Sequence, residues 1–402
     1  MTLSLASAGT QRRADNRGNT FVAALWSAVL LGICIRIGFL SLGHDVFATY
    51  AEAGVRWIES QPLYSYTRGF VYSPLIAALF APFSTCPIRF GGILWRLLTC
   101  SILLVGIFWW LKEELHTGIP KARYWLVFLL ILPLSLGNFN NGQANPLVTG
   151  LLMIAIVCAH RRLWTISALC LGLTAYLKIY PLAVGLLLTL LYPRQLGWRL
   201  LVALLLMGAL SFVLQEPGYV LEQYRRWLTT RAADDRRANI DIAPRDFGML
   251  LQAVHINVSS RILLIFQLLA GIGAALVCVY ARIRNWAEDR LLIAVLTLGT
   301  CWMLLFGPST EDATYAMIAA PLALALGQTF GQRVSGWVPR LFWVSYAVLL
   351  LGVILNAFFR LKKTPLTMSV QPLGALIFLA ATLVWLFSAR FWRTTQSRME
   401  KQ

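Results

Sequence analysis

The sequence has little charge for its length. Charged residues make up 13% of the 402 positions and hydrophobic residues 58%, whereas soluble domains carry about 25% charged residues. The mean hydropathy is +0.67. This composition excludes a soluble enzyme, because many apolar runs reach the roughly 20 residues with which a helix crosses a bilayer. We therefore predict an all-α polytopic integral membrane protein.

Acidic residues are scarce relative to basic ones. The chain has 17 Asp and Glu against 35 Lys and Arg, which gives a formal net charge of +18. In a soluble protein such an excess points to nucleic acid, but in a membrane protein it reflects the accumulation of Lys and Arg in cytoplasmic loops. Many basic residues here lie in short loops between apolar runs and in the terminal tails. We therefore expect a lipid bilayer, and no nucleic acid, as a partner.

The sequence also lacks the patterns of metal, disulfide and nucleotide sites. Its seven cysteines form no CxxC pair, and its four histidines are scattered without an HExxH motif. These spacings argue against a disulfide framework or a zinc site. No phosphate-binding glycine loop is present, which disfavours ATP or a nucleotide-sugar as a substrate. We expect neither a metal nor a cofactor.

The apolar runs predict about 12 transmembrane helices, within a range of about 11 to 13, in one membrane domain over residues 1–402. Placing the basic loops inside puts both termini in the cytoplasm, with residues 1–18 as a disordered tail. The proline-interrupted run at 70–85 is predicted as a re-entrant or interfacial hairpin buried in protein. Residues 43–89 then form an extracytoplasmic loop of short amphipathic helices, and residues 215–259 form an extracytoplasmic lid.

The polar stretch after the first apolar run is the leading candidate for chemistry. Asp45 follows His44 at the membrane surface, where a partly desolvated carboxylate is suited to general-base catalysis. A helix cap is the alternative for this residue. Tyr50, Tyr64 and Tyr72 belong to the same stretch and offer rings and hydroxyls to sugars. Aromatic residues also form interfacial belts, so both uses stay open.

Two further polar segments interrupt the later apolar runs. Gln143 and Asn145 offer uncharged amides for sugar hydroxyls, although a tight turn with a helix cap explains them too. Lys178 lies between two runs, next to Tyr180 and Pro181, and can hold a phosphate as a point charge. Cations inside a membrane are costly and usually functional. The alternative is a lysine that reaches to the interface for solvation.

Two adjacent acids, Glu311 and Asp312, lie between hydroxyl-bearing residues at the predicted outer end of two spans. They are candidates to bind acceptor hydroxyls or a divalent cation. The alternative is structural, because acids in the first turn of a helix stabilise its N-terminus. The sequence supports the binding role and the structural role equally.

The polar segments follow one another in the order of a known family. An Asp after the first span (Asp45) precedes Gln-Pro-Leu-Tyr at 61–64 and Phe-x-Tyr-x-Pro-Leu at 70–75. Gly-Gln-x-Asn follows at 142–145, and Lys-x-Tyr-Pro at 178–181. Together these motifs resemble glycosyltransferase family 87, the membrane-embedded GT-C mannosyltransferases that use polyprenyl-phosphate-mannose.

The resemblance implies a GT-C fold and a metal-independent, inverting transfer on the extracytoplasmic face of a bacterial inner (plasma) membrane. A hexose, expected to be mannose, would pass from a polyprenyl-phosphate donor to a glycolipid or glycan acceptor. The catalytic carboxylate maps to Asp45, and Lys178 and Arg68 would bind the donor phosphate. Sugar contacts are assigned to His44, Tyr50, Tyr64, Tyr72, Gln143, Asn145, Tyr180, Glu311 and Asp312.

One departure from the family concerns residues 309–312. Family members often carry a Ser/Trp/His-type segment there, whereas this sequence reads Ser-Thr-Glu-Asp without a histidine. Glu311 is therefore assigned the role of a sugar-binding carboxylate.

Two other functions compete with a transferase. A transporter or flippase of a lipid-linked sugar would place ionisable residues near the membrane midplane and show matched halves. In this sequence the unusual acids gather at one predicted face. A non-catalytic subunit is the third interpretation, and the presence of Asp45 argues against it.

Overall fold

The structure is a computed structural model that describes residues 2–40, 45–64, 69–113, 115, 118–233, 236–308, 310–331, 336–359, 362–388 and 392. Side chains are described for these residues except 2–16, 330 and 331.

Within the described residues the chain is helical and contains no strand. The helices are α1 Thr2–Phe39, α2 Val46–Ile58, α3 Pro74–Ser84, α4 Ile88–Lys112, α5 Tyr124–Asn140, α6 Asn145–His160, α7 Trp164–Leu177, α8 Leu182–Leu191, α9 Trp198–Leu214, α10 Pro217–Ala232, α11 Phe247–Ala253, α12 Ser260–Ile283, α13 Glu288–Leu305, α14 Ala319–Gly331, α15 Trp337–Ile354, α16 Pro365–Met368 and α17 Val370–Phe387. Short 3₁₀ segments cover Lys121–Arg123, Arg236–Ala238 and Asp312–Ile318, and π-helical segments cover Pro193–Gly197 and Leu355–Phe359.

The protein is a multi-pass membrane protein. In the part of the chain that the structure describes, seven helices are long and apolar enough to cross a bilayer, and four more apolar helices are shorter. Each predicted apolar run coincides with a helix. The number of crossings stays a prediction, because several of these helices fall short of the roughly 20 residues that a perpendicular span needs.

The N-terminal segment differs from its prediction. Residues 1–18 were expected to form a disordered tail, but α1 begins at Thr2 and runs without interruption to Phe39. Helix propagation explains the difference, because each residue added to an existing helix gains a backbone hydrogen bond without a new nucleation cost. The predicted span therefore extends toward the N-terminus as one long helix.

Helix α6 forms the centre of the helix bundle. It is buried along nearly all its length and packs against α4 and α7. Gly106 of α4 and Gly150 of α6 bring the two backbones together, since a Cβ at Gly106 would lie 2.6 Å from the Gly150 carbonyl oxygen. Small residues at such crossings allow close van der Waals packing, which is a main driving force for helix association in lipid.

The first loop folds into the predicted short helices. The amphipathic helix α2 buries one face, with Phe47, Tyr50 and Trp57, and packs against α3. Helix α3 has 11 residues, which span about 16 Å along a helix axis, against about 30 Å for a hydrocarbon core. It is largely buried in protein. This short, buried helix lies where the sequence predicts a re-entrant or interfacial hairpin, and both the hairpin and its depth in the membrane stay predictions.

The predicted inward and outward loops gather at opposite ends of the bundle. Near the end of α6, Glu288 pairs with Arg162 at 3.2 Å and accepts a hydrogen bond from Tyr192 at 3.0 Å. At the beginning of α6, Asn145 contacts both Lys178 and the backbone of Ala313. These contacts join loops within each predicted set, and which end of the bundle faces the cytoplasm stays a prediction.

The predicted lid is fixed to the first loop. In α10, Gln223 accepts a hydrogen bond from the Leu63 backbone at 3.0 Å, and the Trp227 indole donates to the Val71 carbonyl at 3.1 Å. The Tyr219 hydroxyl donates to the Gln61 carbonyl at 2.7 Å. These bonds hold α10 across the end of the bundle at which α6 begins. We call this end the polar end.

Candidate active site

A cavity of about 370 Å³ opens at the polar end of the bundle between α7, α10 and the 308–314 segment. We call it the cationic cavity. The side chains with polar groups in its lining are Tyr72, Ser73, Tyr176, Lys178, Tyr180, Trp227, Arg231, Arg236, Glu311 and Thr314. Four residues predicted from the sequence thus meet at one site: Tyr72, Lys178, Tyr180 and Glu311.

Lys178 is held in place by a chain of buried amides. It follows α7 in extended conformation, which turns its side chain out of the helix. Its ammonium group donates to Asn145 Oδ1 at 2.6 Å. The amide of Asn145 in turn donates to Asn138 Oδ1 at 2.8 Å and to the Ala313 carbonyl at 2.9 Å. This fixed geometry differs from that of a lysine that merely extends toward the interface.

Asn145 therefore has a different role from the predicted one. Its side chain is fully buried, and its oxygen and amide nitrogen are both engaged by protein groups. It is placed to orient Lys178, and its side chain does not line the cationic cavity.

Three cations and one carboxylate line the cationic cavity in the part of the chain that the structure describes: Lys178, Arg231, Arg236 and Glu311. Arg236 pairs with Glu311 at 3.0 Å. The cavity is therefore electropositive, as a site for a phosphate group requires. The two arginines were missed from the sequence, because the loop 215–259 carries nearly balanced charges and its spacing does not show which side chains turn inward.

Tyrosine and tryptophan side chains form the remaining wall of the cationic cavity. Burial raises the pKa of Tyr72 above its usual value, although the Lys178 charge acts in the opposite direction. Burial likewise raises the pKa of Tyr180, while the nearby Thr314 side chain acts on its buried hydroxyl in the opposite direction. Both phenols are thus neutral at pH 7 and line the cationic cavity.

Tyr50 and Tyr64 lie behind this wall. The Tyr50 hydroxyl is 2.8 Å from that of Tyr72, and the Tyr64 hydroxyl donates to the Tyr72 carbonyl at 2.6 Å. Tyr50 also packs against Phe80 and Trp95 in an aromatic cluster. Of the tyrosines predicted in this stretch, only Tyr72 lines the cationic cavity, and the other two support it.

Asp45 occupies a buried ion pair at the start of α2. Its carboxylate caps the helix by accepting from the Phe47 backbone at 3.0 Å, and it lies 2.9 Å from Arg96. The side chains of Asp45 and Arg96 are 2% and 0% exposed. Arg96 also donates to the carbonyls of Phe139 and Asn140, at 2.8 and 3.0 Å. Asp45 does not line the cationic cavity, and the helix-cap alternative describes its present geometry.

The Asp45–Arg96 pair supports the turn that follows α5. Gly142 has a φ of +66°, and a Cβ there would lie 2.8 Å from Asp45 Oδ1 and 3.1 Å from an Arg96 nitrogen. The Val46 backbone donates to the Asn141 carbonyl at 3.0 Å. Only glycine meets both requirements, a left-handed backbone and space for the ion pair. The pair thus sets the position of the residues that follow, Gln143 and Asn145.

A second cavity, of about 190 Å³, lies on the other side of the 311–315 segment. We call it the amide cavity, because its polar lining consists mostly of carboxamides: Asn138, Asn141, Gln143, Asn356 and Gln371, together with Asp312. Gln143 and Asp312 were predicted as sugar contacts, and the structure places both here. Asn356 and Gln371 were missed, because they lie more than 200 residues after the amide motif in sequence.

The segment 311–315 forms a wall between the two cavities. Glu311 and Thr314 line the cationic cavity, whereas Asp312, Ala313 and Tyr315 line the amide cavity. Glu311 caps the 3₁₀ segment that begins at Asp312, in a capping box with Thr314. The structural alternative for these acids is therefore realised, and both still line a cavity.

Two predicted site residues, His44 and Arg68, lie outside the described residues. Among the residues that are described, no group of three or more His, Cys, Asp or Glu side chains is arranged to hold a metal ion.

Comparison with known proteins identifies the family. Residues 70–308 match glycosyltransferase family 87, and this stretch is more than half of the 402-residue chain. No curated protein matches the chain. The matched stretch contains Tyr72, Gln143 and Lys178, while Asp45 precedes it and Glu311 follows it. The chain therefore belongs to glycosyltransferase family 87 and is a glycosyltransferase.

Proposed function

We propose that the protein transfers a hexose, mannose, from a polyprenyl-phosphate donor to a lipid- or glycan-linked acceptor on the extracytoplasmic face. The observation that carries this proposal is the cationic cavity. It joins Lys178, Arg231 and Arg236 at the polar end of an apolar bundle. A phosphate attached to a lipid fits such a site, because its charge meets the cations while its chain extends along the apolar helices.

The same cations supply the main catalytic contribution in this proposal. As the bond between the anomeric carbon and the phosphate oxygen breaks, negative charge grows on the departing polyprenyl phosphate. Lys178 is fixed by Asn145 before the reaction, so its charge needs no reorganisation when that negative charge develops. Preorganised groups of this kind usually give the largest single contribution to catalysis.

The proton acceptor in the proposal is Asp45, an assignment that rests on the family resemblance. The acceptor hydroxyl attacks the anomeric carbon from the side opposite the phosphate and gives its proton to a carboxylate. Asp45 is bound to Arg96 and nearly inaccessible. In this proposal its ion pair opens when the acceptor binds. Glu311 is the competing acceptor, since it already lines the cationic cavity.

The transfer itself is tested with purified full-length protein in lipid nanodiscs. Polyprenyl-phosphate-[¹⁴C]mannose is incubated with a panel of mannosides and glycolipids, and polyprenyl-phosphate-[¹⁴C]glucose is run in parallel. We expect label to move from the mannosyl donor to at least one acceptor, with inversion at the anomeric carbon. Movement of intact donor across a vesicle bilayer without label transfer would replace the transferase with a flippase.

The identity of the proton acceptor is tested separately. Single-turnover rates are compared for Asp45→Asn, Glu311→Gln and the unchanged protein, with donor binding measured in each. If Asp45 is the base, its variant loses transfer while it still binds donor and unfolds near the normal temperature. A folded Asp45→Asn protein with near-normal turnover, beside an inactive Glu311→Gln protein, would move the role to Glu311.

A further inference from the structure

We propose that the amide cavity binds an uncharged sugar ring of the acceptor, an inference that rests on the proposed function and adds the acceptor subsite. Carboxamides provide both a donor and an acceptor without charge, which matches the hydroxyl groups of a neutral sugar.

The amide groups of the cavity have unused hydrogen-bonding capacity. Gln143 is 9% exposed, and its side chain has no hydrogen-bond partner among the described residues, although it lines the cavity. Asn356 Oδ1 accepts from Arg245 at 3.0 Å, and its amide nitrogen has no partner within the same residues. Buried polar groups are nearly always hydrogen-bonded in native proteins. The buried Gln143 amide therefore indicates a ligand that supplies its missing partners, and the partly buried Asn356 amide offers a further donor to that ligand.

The charge of the amide cavity selects a neutral ligand. Its described lining contains the carboxylate of Asp312 and no cation. Arg245 lies behind the lining, where it holds Asn356 and Gln371 at 3.0 and 3.4 Å and approaches Asp312 at 3.9 Å. A phosphate would meet the Asp312 carboxylate, and Arg245 is already engaged by Asp312 and the two amides, so the donor phosphate belongs in the cationic cavity.

The backbone around Asn356 gives an independent indication of function. Asn356 lies in the π-helical segment Leu355–Phe359, which continues α15. Such π-helical turns are rare and occur frequently at functional sites. Here the irregular turn brings a carboxamide of the α15 end into contact with Arg245 and into the lining of the cavity.

The position of the amide cavity fits transfer between two bound sugars. Of the segments that the structure describes, only 311–315 supplies lining residues to both cavities, through Thr314 on one side and Tyr315 on the other. An acceptor ring in the amide cavity would thus lie next to a donor headgroup in the cationic cavity. The 3₁₀ helix at Asp312–Ile318 fixes their relative position.

Saturation-transfer NMR on the full-length protein in nanodiscs tests this site in the absence of donor. The probe is α-linked mannobiose, and the variants are Gln143→Leu and Asn356→Leu. Gln195→Leu is the matched control, since it changes an exposed amide in the other π-helical segment, Pro193–Gly197. We expect mannobiose to bind about 5- to 10-fold more weakly to each cavity variant, as the loss of one hydrogen bond predicts, and equally well to the control.

A second arm distinguishes the acceptor sugar from the sugar of the donor. Binding of polyprenyl-phosphate-mannose is measured with the same variants, and we expect it to be unchanged. Unaltered mannobiose binding in both cavity variants, no mannobiose binding by the unchanged protein, or a loss confined to the donor would each overturn the proposal. The unfolding temperature identifies a misfolded variant, and Gln143→Leu removes no protein hydrogen bond that the structure describes. Because no transfer is measured, failure of the transferase proposal would show separately, in the radiolabel assay.

Discussion

The two cavities at the polar end of this protein differ in chemistry although one short segment separates them. The cationic cavity has three basic side chains and aromatic walls. Its Lys178 donates to Asn145, whose amide oxygen and nitrogen are both hydrogen-bonded by protein groups. The amide cavity has carboxamides with unused hydrogen-bonding groups and a single carboxylate in its described lining. The first is suited to a charged headgroup and the second to an uncharged sugar.

This difference assigns the two substrates to separate sites. Both sites depend on the Asp45–Arg96 pair and the turn at Gly142, which together we call the support. The turn at Gly142 lies against the Asp45–Arg96 pair. It then leads to Gln143 in the amide cavity and to Asn145, which holds Lys178 in the cationic cavity. Changes to the support should therefore impair both cavities, and changes within a cavity should impair one.

The largest effect is expected from breaking the buried pair. Arg96→Gln leaves the Asp45 carboxylate buried without its cation, and losing one partner of such a pair costs about 3–5 kcal/mol. We expect a loss of stability of this size and weaker binding of both substrates. Unfolding in mixed micelles measures the first, and donor and mannobiose titrations measure the second.

Arg89→Gln is the matched control for Arg96→Gln. Arg89 lies in the same helix, α4, but is exposed and donates one hydrogen bond to the Gly38 carbonyl. Its loss should cost at most about 1 kcal/mol. Equal losses in the two variants would mean that the pair is not the common support of the cavities.

The second largest effect is expected for donor use alone. Lys178→Gln keeps a polar side chain beside Asn145 but removes the charge that meets the phosphate. We expect kcat/KM for the donor to fall about 10²- to 10³-fold, as for loss of one group that stabilises developing charge. Mannobiose binding should stay unchanged. The exposed Lys112, at the end of α4, provides the control Lys112→Gln, and an equal fall in both variants would refute a local role.

A moderate effect is expected at the shared turn. Gly142→Ala forces a left-handed backbone on a residue with a side chain and pushes its Cβ toward Asp45 Oδ1. Strain of this type costs about 1–3 kcal/mol, so stability and both binding constants should decline together. Gly273→Ala in α12 is the control, because its Cβ would meet no atom within 4 Å, and alanine favours a helix by about 0.5–1 kcal/mol. A decline in only one binding constant would show that the cavities are supported independently.

The smallest effect is expected at the contact between α10 and the first loop. Trp227→Phe removes the hydrogen bond to the Val71 carbonyl, which is worth about 0.5–1.5 kcal/mol. We expect donor binding to weaken about 2- to 10-fold without a change in mannobiose binding. Trp198→Phe alters an exposed tryptophan outside the cavities and should leave both constants unchanged. A change confined to mannobiose would contradict the assignment of α10 to the donor side.

The sequence predicted the helical membrane class, the helix positions and the family, because hydrophobic length and motif order are local properties. It also placed Lys178 and Glu311 correctly at a common polar end. It could not separate side chains that line a cavity from those that support it. Gln143 and Asn145 are two positions apart and equally polar, yet one faces a cavity and the other is saturated by protein contacts. Burial of Asp45 against Arg96 likewise depends on how distant helices pack.

The central claim is tested most directly by an experimental density map of the full-length protein in nanodiscs with saturating polyprenyl-phosphate-mannose. We predict density for the phosphate about 3 Å from the Lys178 ammonium, a charge-assisted contact distance, with the lipid chain leaving between apolar helices. The amide cavity should hold no phosphate. Phosphate density in the amide cavity, or away from Lys178 altogether, would contradict the division of the two substrates between the two sites.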